Sequence, residues 1–408
     1  MAGAQVVVGL DIGTTKVCTL IGEVKGDLIQ VVGVGVSPSR GIRKGIVVDM
    51  EEAAAAIAAS LKKAETFSGY KIVGAYVAVS GAHIDCESVH GRITLAGERA
   101  VSRQDLAEVL TSARPEDVPE GRRVLHVLPK GYVVDGENGI NNPMGMLAST
   151  LEVEGLTVSA GTAPLLNLAR CVERAGIQID GFVSAGLASA YAALTDSEKQ
   201  LGVLVIDVGG GTTDLVWLRD DAVQYVGAMP FGGNHFTNDL AMVLGVPSAA
   251  AEELKIGYAS ALPDTIPGEE MVDAGSFSGG EEREVPRRLM AEVVEARLSE
   301  LLGLAEDELK ARGFDGVLPA GVVLTGGAAQ LRGMREAIQE QFEVPARIGQ
   351  PEGLDGPVDS VISPMYSTGV GLLKWILAQP GDLASGRSAR RSASLGGRVK
   401  GMIKAFLP

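Results

Sequence analysis

Two short segments of this 408-residue sequence repeat one pattern: an apolar run, an aspartate, and a loop of glycine and threonine. The first segment is residues 9–16 (GLDIGTTK) and the second is residues 204–214 (LVIDVGGGTTD). The pattern predicts in each case a buried strand that ends at Asp11 or Asp207, a tight turn, and the start of a second strand. An internal repeat of this kind predicts two related supersecondary units within one chain.

The composition of the two loops points to phosphate binding. Glycines let a backbone approach phosphate oxygens closely, their N–H groups form an anion-binding nest, and threonine hydroxyls add donors. An aspartate at each strand end can hold Mg²⁺, and we predict that Asp11 and Asp207 do so through water. An ordinary hairpin turn is the alternative for either loop alone. The predicted phosphate-binding residues are Asp11, Gly13, Thr14, Thr15, Lys16, Asp207, Gly209, Gly210, Gly211, Thr212 and Thr213.

Two further segments fit a nucleoside rather than its phosphates. Residues 321–334 (GVVLTGGAAQLRGM) predict a strand, a turn at Gly326 and Gly327, and a helix. Because the two glycines have no side chains, the backbone at that turn can lie flat against a nucleoside. Glu252 and Lys255 are three residues apart on one predicted helical face and can both reach a ribose or base. A solvated ion pair is the alternative for these two residues. The sequence contains neither a GxxxxGK[ST] loop nor a glycine fingerprint leading into a helix, which excludes those nucleotide-binding motifs.

Composition limits the remaining possibilities. Hydrophobic residues make up 46% and aromatic residues 4%, which predicts globular folding around aliphatic cores. Valine-rich runs such as residues 6–10 and 201–206 are typical of buried strands. A net charge of −15 argues against nucleic acid as a partner. Three cysteines without metal-ligand spacing favour a reducing cytosol, and we expect no signal peptide and no spanning helix.

The last residues differ from the rest of the chain. Residues 381–408 carry six basic residues and one acidic residue, a net charge of +5 that leaves −20 on the remainder. Residues 381–396 are rich in Arg, Ser, Ala and Gly, which predicts a flexible linker. One apolar helical stripe follows, with flanking cations, and it fits an interfacial membrane helix or a helix docked on the body. The stripe and its cations are Val399, Met402, Ile403, Phe406 and Leu407 with Arg398, Lys400 and Lys404.

The two aspartate loops and the TGG loop, in this order, resemble the actin/Hsp70/sugar-kinase superfamily. Residues 41–53, 77–91, 182–194 and 323–334 are similar to the FtsA family of bacterial cell-division proteins. This resemblance implies an α/β class: an actin-like two-lobed ATPase fold with an inserted small α+β subdomain and a C-terminal amphipathic helix. The implied units are 1–83 with 163–195 and 362–380 (subdomain 1A), 84–162 (1C), 196–233 with 316–361 (2A), 234–315 (2B), the linker 381–396 and the helix 397–408.

Local patterns support an inserted unit at residues 84–162. Short strands are predicted at 92–95, 124–128 and 132–134, and Ser102 is placed to cap a helix with Asp105 three residues later. In the proposed subdomain 2B, residues 287–302 predict a helix whose apolar stripe includes Leu289, Val293, Ala296 and Leu301.

The resemblance also implies ligands and partners. The implied cofactors are ATP or ADP with Mg²⁺, and the implied partners are the C-terminal peptide of FtsZ, further copies in filaments, anionic membrane lipids and other division proteins. The implied location is the cytoplasmic face of the inner membrane at the division site. Arg287, Arg288 and Arg297 are candidate contacts for the FtsZ peptide, although a wet charged helical face is the alternative for each.

Catalysis is a separate question. ATPases of the superfamily place Glu or Gln before a small-residue helix to orient the attacking water, and this chain has Ala185 there, beside Ser184. We therefore expect nucleotide binding with at most slow hydrolysis. A small-molecule kinase is the alternative enzyme, and it would not need the basic apolar tail. An Hsp70-like chaperone would need a substrate-binding domain, for which the roughly 30 residues after Gln379 are too few. The tail argues against the remaining alternative, a pilus-type actin-like adaptor.

Overall fold

The computed structural model describes residues 5–26, 28–115, 117–278, 283–355 and 361–378, together with the backbone of 389–391. The predicted C-terminal helix, including Arg398, Val399, Lys400, Met402, Ile403, Lys404, Phe406 and Leu407, lies outside the described residues, as does most of the predicted linker. Within the described residues, no helix combines the length and apolar content needed to cross a bilayer.

The first lobe is built on a five-stranded mixed sheet. Its strands, in spatial order, are β12 (Gln178–Ser184), β7 (Gly74–Val79), β1 (Gln5–Ile12), β2 (Lys16–Lys25) and β3 (Leu28–Pro38). β1, β2 and β3 pair antiparallel, whereas β7 pairs parallel with both β1 and β12. This lobe also contains the short strands β4 (Ile42–Arg43), β5 (Ile46–Val47) and β6 (Tyr70–Ile72).

Helices cover both faces of this sheet, which explains why its central strands are apolar along their whole length. They are α1 (Met50–Ser68), α3 (Thr162–Arg174), α4 (Ala185–Ala193) and α11 (Ser367–Ala378). Thr19 in β2 contacts Ser60 of α1, with 2.7 Å between the two hydroxyls. A side chain at Gly369 of α11 would instead meet Cys18 and Leu20. Successive strand side chains alternate, so α1 and α11 lie on opposite faces.

The second lobe repeats the same sheet topology, as the repeated motif predicts. Its strands, in spatial order, are β15 (Ala222–Met229), β14 (Thr213–Arg219), β13 (Val203–Val208), β18 (Val322–Thr325) and β19 (Ala346–Ile348). The first three pair antiparallel, and β18 pairs parallel with β13 and β19. The predicted run at 201–206 begins too early, because Leu201 ends helix α5 (Asp196–Leu201), which Thr195 and Glu198 cap.

The inserted unit is a four-stranded antiparallel sheet with one helix. Its elements are β8 (Ile84–Ala100), α2 (Arg103–Ser112), β9 (Arg122–Val134), β10 (Glu137–Ile140) and β11 (Leu147–Gly161). The strands lie in the spatial order β10-β9-β11-β8. The sheet and α2 share a separate apolar core that includes Leu151 and Val109. Ser102 and Asp105 form the predicted capping box of α2. The three predicted strands all fall within β8 and β9.

A helical region extends the second lobe beyond its sheet. Its elements are α6 (Gly233–Leu244), α7 (Ser248–Tyr258), β16 (Met271–Asp273), α8 (Gly275–Ser278), β17 (Glu284–Pro286) and α9 (Arg287–Ala311). A further helix, α10 (Met334–Phe342), follows β18 in the chain and packs against β18 and β19 of the sheet. The predicted stripe on α9 is wrong at two of its four positions, because Leu301 is buried as predicted and Val293 packs partly buried against the core. Leu289 and Ala296 are exposed, and the buried side chains are Met290, Ala291, Val294, Leu298, Leu301, Leu302, Ala305 and Leu309.

A backbone strand lies within the segment predicted as a flexible linker. Residues 389–391 form β20 (Ala389–Arg391), which pairs antiparallel with β6 of the first lobe. The sequence of this segment has no alternating apolar pattern. Pairing of an edge strand uses backbone groups, so composition alone did not indicate it.

Candidate functional site

The two aspartate loops face each other across the boundary between the lobes. Each loop closes in the same way, because the amide of Gly13 donates to the Lys16 carbonyl and that of Gly209 donates to the Thr212 carbonyl, both at 2.9 Å. A Cβ added at Gly210 would lie 2.3 Å from Cγ2 of Thr15. The loops therefore approach closely because glycine is present at the contact.

A cavity between these loops contains most of the predicted phosphate-binding residues. Its lining includes Asp11, Gly13, Thr14, Thr15, Lys16, Asp207, Gly209, Gly210, Thr212, Gly326 and Gly327. Gly211 and Thr213 are not in the lining. A Cβ at Gly211 would meet Thr14, and the buried hydroxyl of Thr213 donates to the Phe231 carbonyl at 2.9 Å. Gly211 therefore lies at the contact with the first loop, and Thr213 anchors the second loop to the Phe231 backbone.

Lys16 neutralises Asp11 in this arrangement. The Lys16 ammonium lies 2.9 Å from a carboxylate oxygen of Asp11, and both side chains are largely buried. Burial alone would lower the pKa of Lys16, but the neighbouring Asp11 carboxylate outweighs it and raises that pKa above its ordinary value. Lys16 therefore carries a full positive charge at the mouth of the phosphate loops.

Asp207 is held by hydroxyl groups from two helices. Ser189 of α4 and Thr368 of α11 both donate to Oδ2 of Asp207, the second at 3.2 Å. Burial raises the pKa of Asp207 above its ordinary value, although these hydrogen bonds oppose that change. Asp207 thus joins the phosphate loop to the two helices that cross between the lobes.

Asp214 is a functional candidate that the sequence analysis did not select. It lines the same cavity and is 5% exposed, and its Oδ2 accepts a hydrogen bond from Ser80 of the first lobe at 2.8 Å. Its Oδ1 is buried without a hydrogen-bond partner. Burial, then the Asp207 carboxylate, raises the pKa of Asp214 well above its ordinary value. The signal was present, because Asp214 is the last residue of the second loop motif.

The donors fit a hydrated Mg²⁺ better than a metal held by protein alone. Within the described residues there is no group of three or more His, Cys, Asp or Glu side chains that could hold a metal ion. Asp11 and Asp207 provide two carboxylates beside the phosphate loops. Mg²⁺ commonly takes one or two carboxylates and completes its octahedron with phosphate and water oxygens. The residues present therefore fit that ion when a phosphate ligand is also bound.

A second, wider cavity of about 610 Å³ adjoins the phosphate loops. Its volume falls within the range usual for small-ligand sites. Its lining brings together the predicted nucleoside residues and several others: Glu252, Lys255, Gly327, Gly233, Asn234, Ile256, Ala328, Gln330 and Arg332. Gly326 does not line this cavity but adopts φ 89°, and a Cβ there would lie 2.3 Å from Oδ1 of Asp207. Glycine is therefore required at that turn.

Glu252 and Lys255 form an ion pair in which the Lys255 side chain is buried and the Glu252 side chain is 41% exposed. The Lys255 ammonium lies 2.7 Å from Glu252 and also donates to the Thr237 hydroxyl at 2.8 Å and the Gly233 carbonyl at 3.2 Å. Lys255 is 9% exposed. These contacts join α6 and α7, and both charged residues line the cavity.

The residues at the N-terminal end of α4, Ser184 to Gly186, carry no carboxylate, as the sequence indicates. Ala185 lines the phosphate cavity, and the hydroxyl of Ser184 is buried without a hydrogen-bond partner. The Ser184 amide donates to Nε2 of His126, which extends from the inserted unit, at 3.1 Å. A Cβ at Gly186 would lie 3.1 Å from Cβ of Asp214. Asp214 is therefore the carboxyl group nearest the start of α4 among those described above.

Arg287, Arg288 and Arg297 lie on α9, far from the loops in sequence, and each has an acidic partner. Arg287 pairs with Glu270 at 2.6 Å and Arg288 pairs with Asp264 at 2.7 Å. Arg297 pairs with Asp239 and lies over the Phe231 ring. The three side chains contact different neighbours and do not form one cluster through these pairs.

The chain resembles known proteins over most of its length. The family profile "Cell division protein FtsA" matches residues 204–371, and "SHS2 domain inserted in FTSA" matches residues 81–159. Cell division protein FtsA of Pseudomonas aeruginosa is 40% identical over 379 residues, which cover 93% of this chain and 91% of that protein. The Escherichia coli K12 protein of the same name is 37% identical, with 91% and 90% covered.

Solved structures agree on the fold. A chain of a PilM-PilN type IV pilus biogenesis complex has a TM-score of 0.62 at 18% identity, covering 90% of this chain and 97% of that one. MreB5 of Spiroplasma citri bound to ADP has a TM-score of 0.52 at 14% identity, covering 94% and 99%. These likenesses show a two-lobed actin-like fold, and the inserted unit is the part that the SHS2 profile matches. With identities of up to 40% over nine-tenths of its length, this chain belongs to the FtsA family of cell division proteins.

Proposed function

We propose that this protein binds ATP or ADP with Mg²⁺ between its lobes. One observation carries the proposal: two glycine–threonine loops, one from each lobe, meet around a single cavity that opens toward a larger one. Their backbone N–H groups, hydroxyls and Lys16 suit phosphates, and Glu252, Lys255 and Gly327 suit the nucleoside. Asp11 and Asp207 would hold the ion, which would neutralise phosphate charge in the bound state.

Hydrolysis is expected to be slow. Water positioning is a large part of phosphoryl-transfer catalysis, and Ala185 cannot contribute to it. The buried Asp214 is the group best placed to contact a water near the start of α4. Its raised pKa keeps it protonated over a wider pH range, and a protonated carboxyl is a poor proton acceptor. Nucleotide would then act mainly by holding the lobes together.

The biological role that we propose is an adaptor in cell division. Family membership supports self-assembly into filaments and association with other division proteins. The C-terminal peptide of FtsZ is the proposed ligand of subdomain 2B, with Arg287, Arg288 and Arg297 as candidate contacts. Each of these arginines would first have to leave or share its acidic partner. The unit boundaries predicted from the sequence are retained as the proposed division into subdomains 1A, 1C, 2A and 2B.

The C-terminal peptide is the proposed membrane anchor. Five apolar residues on one helical stripe and three cations are typical of a helix that lies at an anionic lipid surface. A single such helix binds weakly, whereas a filament would present many at high effective concentration. The proposed location is therefore the cytoplasmic face of the inner membrane at the division site.

Nucleotide binding is tested by titrating fluorescent ADP in Mg²⁺ buffer. Gly210→Ala places a methyl group against Thr15 and should separate the loops, weakening binding about tenfold or more. Gly303→Ala in α9 is the matched control, since a Cβ there has no atom within 4 Å. Equal affinities for Gly210→Ala and the unchanged protein would contradict a site between these loops.

Membrane binding is tested by co-sedimentation with anionic vesicles in the presence of ATP. The full chain should pellet, and both a chain ending at Gly396 and the Phe406→Glu variant should remain in solution.

FtsZ peptide binding is tested separately by fluorescence anisotropy. Arg288→Ala should weaken it if this part of α9 forms the site, with Lys310→Ala at the far end of α9 as the control.

A further inference from the structure

The short strand β6 pairs through its backbone with a strand from a distant part of the chain. β20 is separated from the end of α11 by ten residues, yet it returns to pair with β6 in the register Ala389–Ile72, Lys71–Arg390 and Tyr70–Arg391. Among the described residues, these two strands form a sheet of their own, and β20 also contacts β1. The segment thus lies against the first lobe just before the C-terminal peptide.

The local bonding of β6 explains why it accepts a strand on one side. The Tyr70 amide donates to the Ser68 hydroxyl at 3.1 Å, and the Ile72 amide donates to a Glu65 carboxylate oxygen at 2.9 Å. Both acceptors belong to the end of α1. Successive backbone groups of a strand point to opposite sides, so the amide and carbonyl of Lys71 face away from α1, toward Arg390 of β20. An edge of this kind is a template for an added strand.

Charge favours the same pairing. The β6 edge carries two carboxylates and one ammonium, a net charge of −1, since Glu65 pairs with Lys71 at 2.9 Å and Glu23 accepts a hydrogen bond from the Tyr70 hydroxyl at 2.6 Å. Residues 387–391 have the sequence RSARR, with three arginines and no acidic residue. Backbone pairing fixes the position of the segment, and opposite charge favours this segment over an acidic one.

We propose that the β6 edge is a docking surface for residues 389–391 of the same chain, and that docking fixes where the C-terminal peptide leaves the body. Docking leaves seven residues, 392–398, before Val399, which span at most about 23 Å. Released from α11 onward, the twenty residues 379–398 would span about 66 Å. The surface therefore shortens the reach of the peptide about threefold, a consequence that rests on the membrane role proposed above.

Cysteine pairing in the full-length protein tests the docking. In the K71C/R390C variant, the two positions form a hydrogen-bonded cross-strand pair, whose Cα separation of about 5.5 Å suits a disulfide. The matched control is K71C/S394C, with the second cysteine four residues farther along the same chain. The native Cys18, Cys86 and Cys171 are buried and should react little.

The readout is the effective concentration of the cysteine pair, measured by equilibration with glutathione. A cysteine that is joined to the body only by a short flexible linker has a millimolar effective concentration. Docking should raise the effective concentration of the K71C/R390C pair about tenfold above that of the control pair. Equal values for the two variants would overturn the proposal. Disulfide-linked dimers in place of intramolecular bonds would also overturn it, because the strand would then come from a second copy.

A vesicle experiment separates this proposal from the membrane role. Oxidised K71C/R390C should still pellet with anionic vesicles, but energy transfer from a dye on the first lobe to a lipid dye should exceed that of an Arg390→Pro variant, which lacks the backbone amide needed to pair with β6. The glutathione measurement can be repeated on a chain ending at Gly396. If that chain pairs normally while no form binds vesicles, the anchor proposal fails and the docking surface stands. If binding occurs and transfer is unchanged, the shortened reach is wrong.

Discussion

Asp207 and Asp214 lie directly opposite each other on the antiparallel strands β13 and β14. Both residues are buried, and opposed residues on such strands project to the same face of the sheet. Burial raises the pKa of both carboxyl groups, and that of Asp214 rises the more strongly because the Asp207 carboxylate adds to the effect of burial. The pair therefore titrates as a unit, with a proton retained on the Asp214 side when no cation is near.

Asp214→Asn should change how stability depends on pH. A carboxyl with a raised pKa in the folded state binds more protons there than in the unfolded chain, so its contribution to stability falls as pH rises above its unfolded pKa. Asparagine resembles the protonated carboxyl and removes this loss. Urea unfolding without nucleotide, from pH 5 to pH 9, should show a smaller decline for the variant than for the unchanged protein. A decline of equal size in both would show that Asp214 is already ionised.

Lys16→Ala should destabilise the nucleotide-free protein by about 3 kcal/mol, because it leaves the buried Asp11 carboxylate without its counter-ion. Mg²⁺ alone should then raise the melting temperature of the variant more than that of the unchanged protein, since the ion replaces the missing charge. Differential scanning fluorimetry with and without Mg²⁺ measures both effects. Lys71→Ala, which breaks the exposed pair with Glu65, is the control and should change stability by about 1 kcal/mol or less. An identical response to Mg²⁺ in both proteins would exclude Asp11 as part of the ion site.

The repeated motif made much of this fold predictable. Each loop follows a strand buried along its length, and this pattern specifies a sheet covered on both faces, which the paired sheets confirm. The capping box at Ser102 and Asp105 was also predictable, since it depends on residues three positions apart. Short-range chemistry of this kind is recorded directly in the sequence.

Features that depend on long-range contacts were not predictable. Spacing alone predicts the stripe on α9 incorrectly, because the buried side of a helix is set by what packs on it. Here the 3₁₀ turn Pro263–Thr265 and the helices α6, α7 and α10 pack on α9. The sequence pattern does not single out Asp214, because its significance comes from Asp207 on the strand opposite it and from Ser80 in the other lobe. The docking of β20 depends on backbone groups that no side-chain pattern reveals.

The buried His126 should make the protein less stable in acid. Burial lowers its pKa from 6.5 to about 4, so the unfolded state binds the proton more readily and stability falls as pH drops through this interval. The loss should reach about 3 kcal/mol below pH 4. Comparison with His126→Gln, which cannot be protonated, isolates this contribution: the stability difference between the two proteins should shrink as pH falls from 7 to about 4 in urea titrations. A constant difference would show that His126 is not the titrating group.

Gly371 should be the least replaceable glycine of α11. This helix crosses α4 between the lobes, and a Cβ at Gly371 would lie 1.7 Å from the Ala188 carbonyl oxygen, which is a backbone atom that cannot move alone. Gly371→Ala should therefore separate the helices, lower the free energy of unfolding by about 3 kcal/mol, and weaken nucleotide binding through the displaced Ser189 and Thr368.

Gly369→Ala, in the same helix, is the matched control. Its Cβ would come no closer than 3.3 Å to the Leu20 side chain, and the gain in helix propensity of about 1 kcal/mol opposes any crowding. Urea unfolding of the two variants measures the contrast, and similar stabilities would mean that the helices can shift at this crossing without loss.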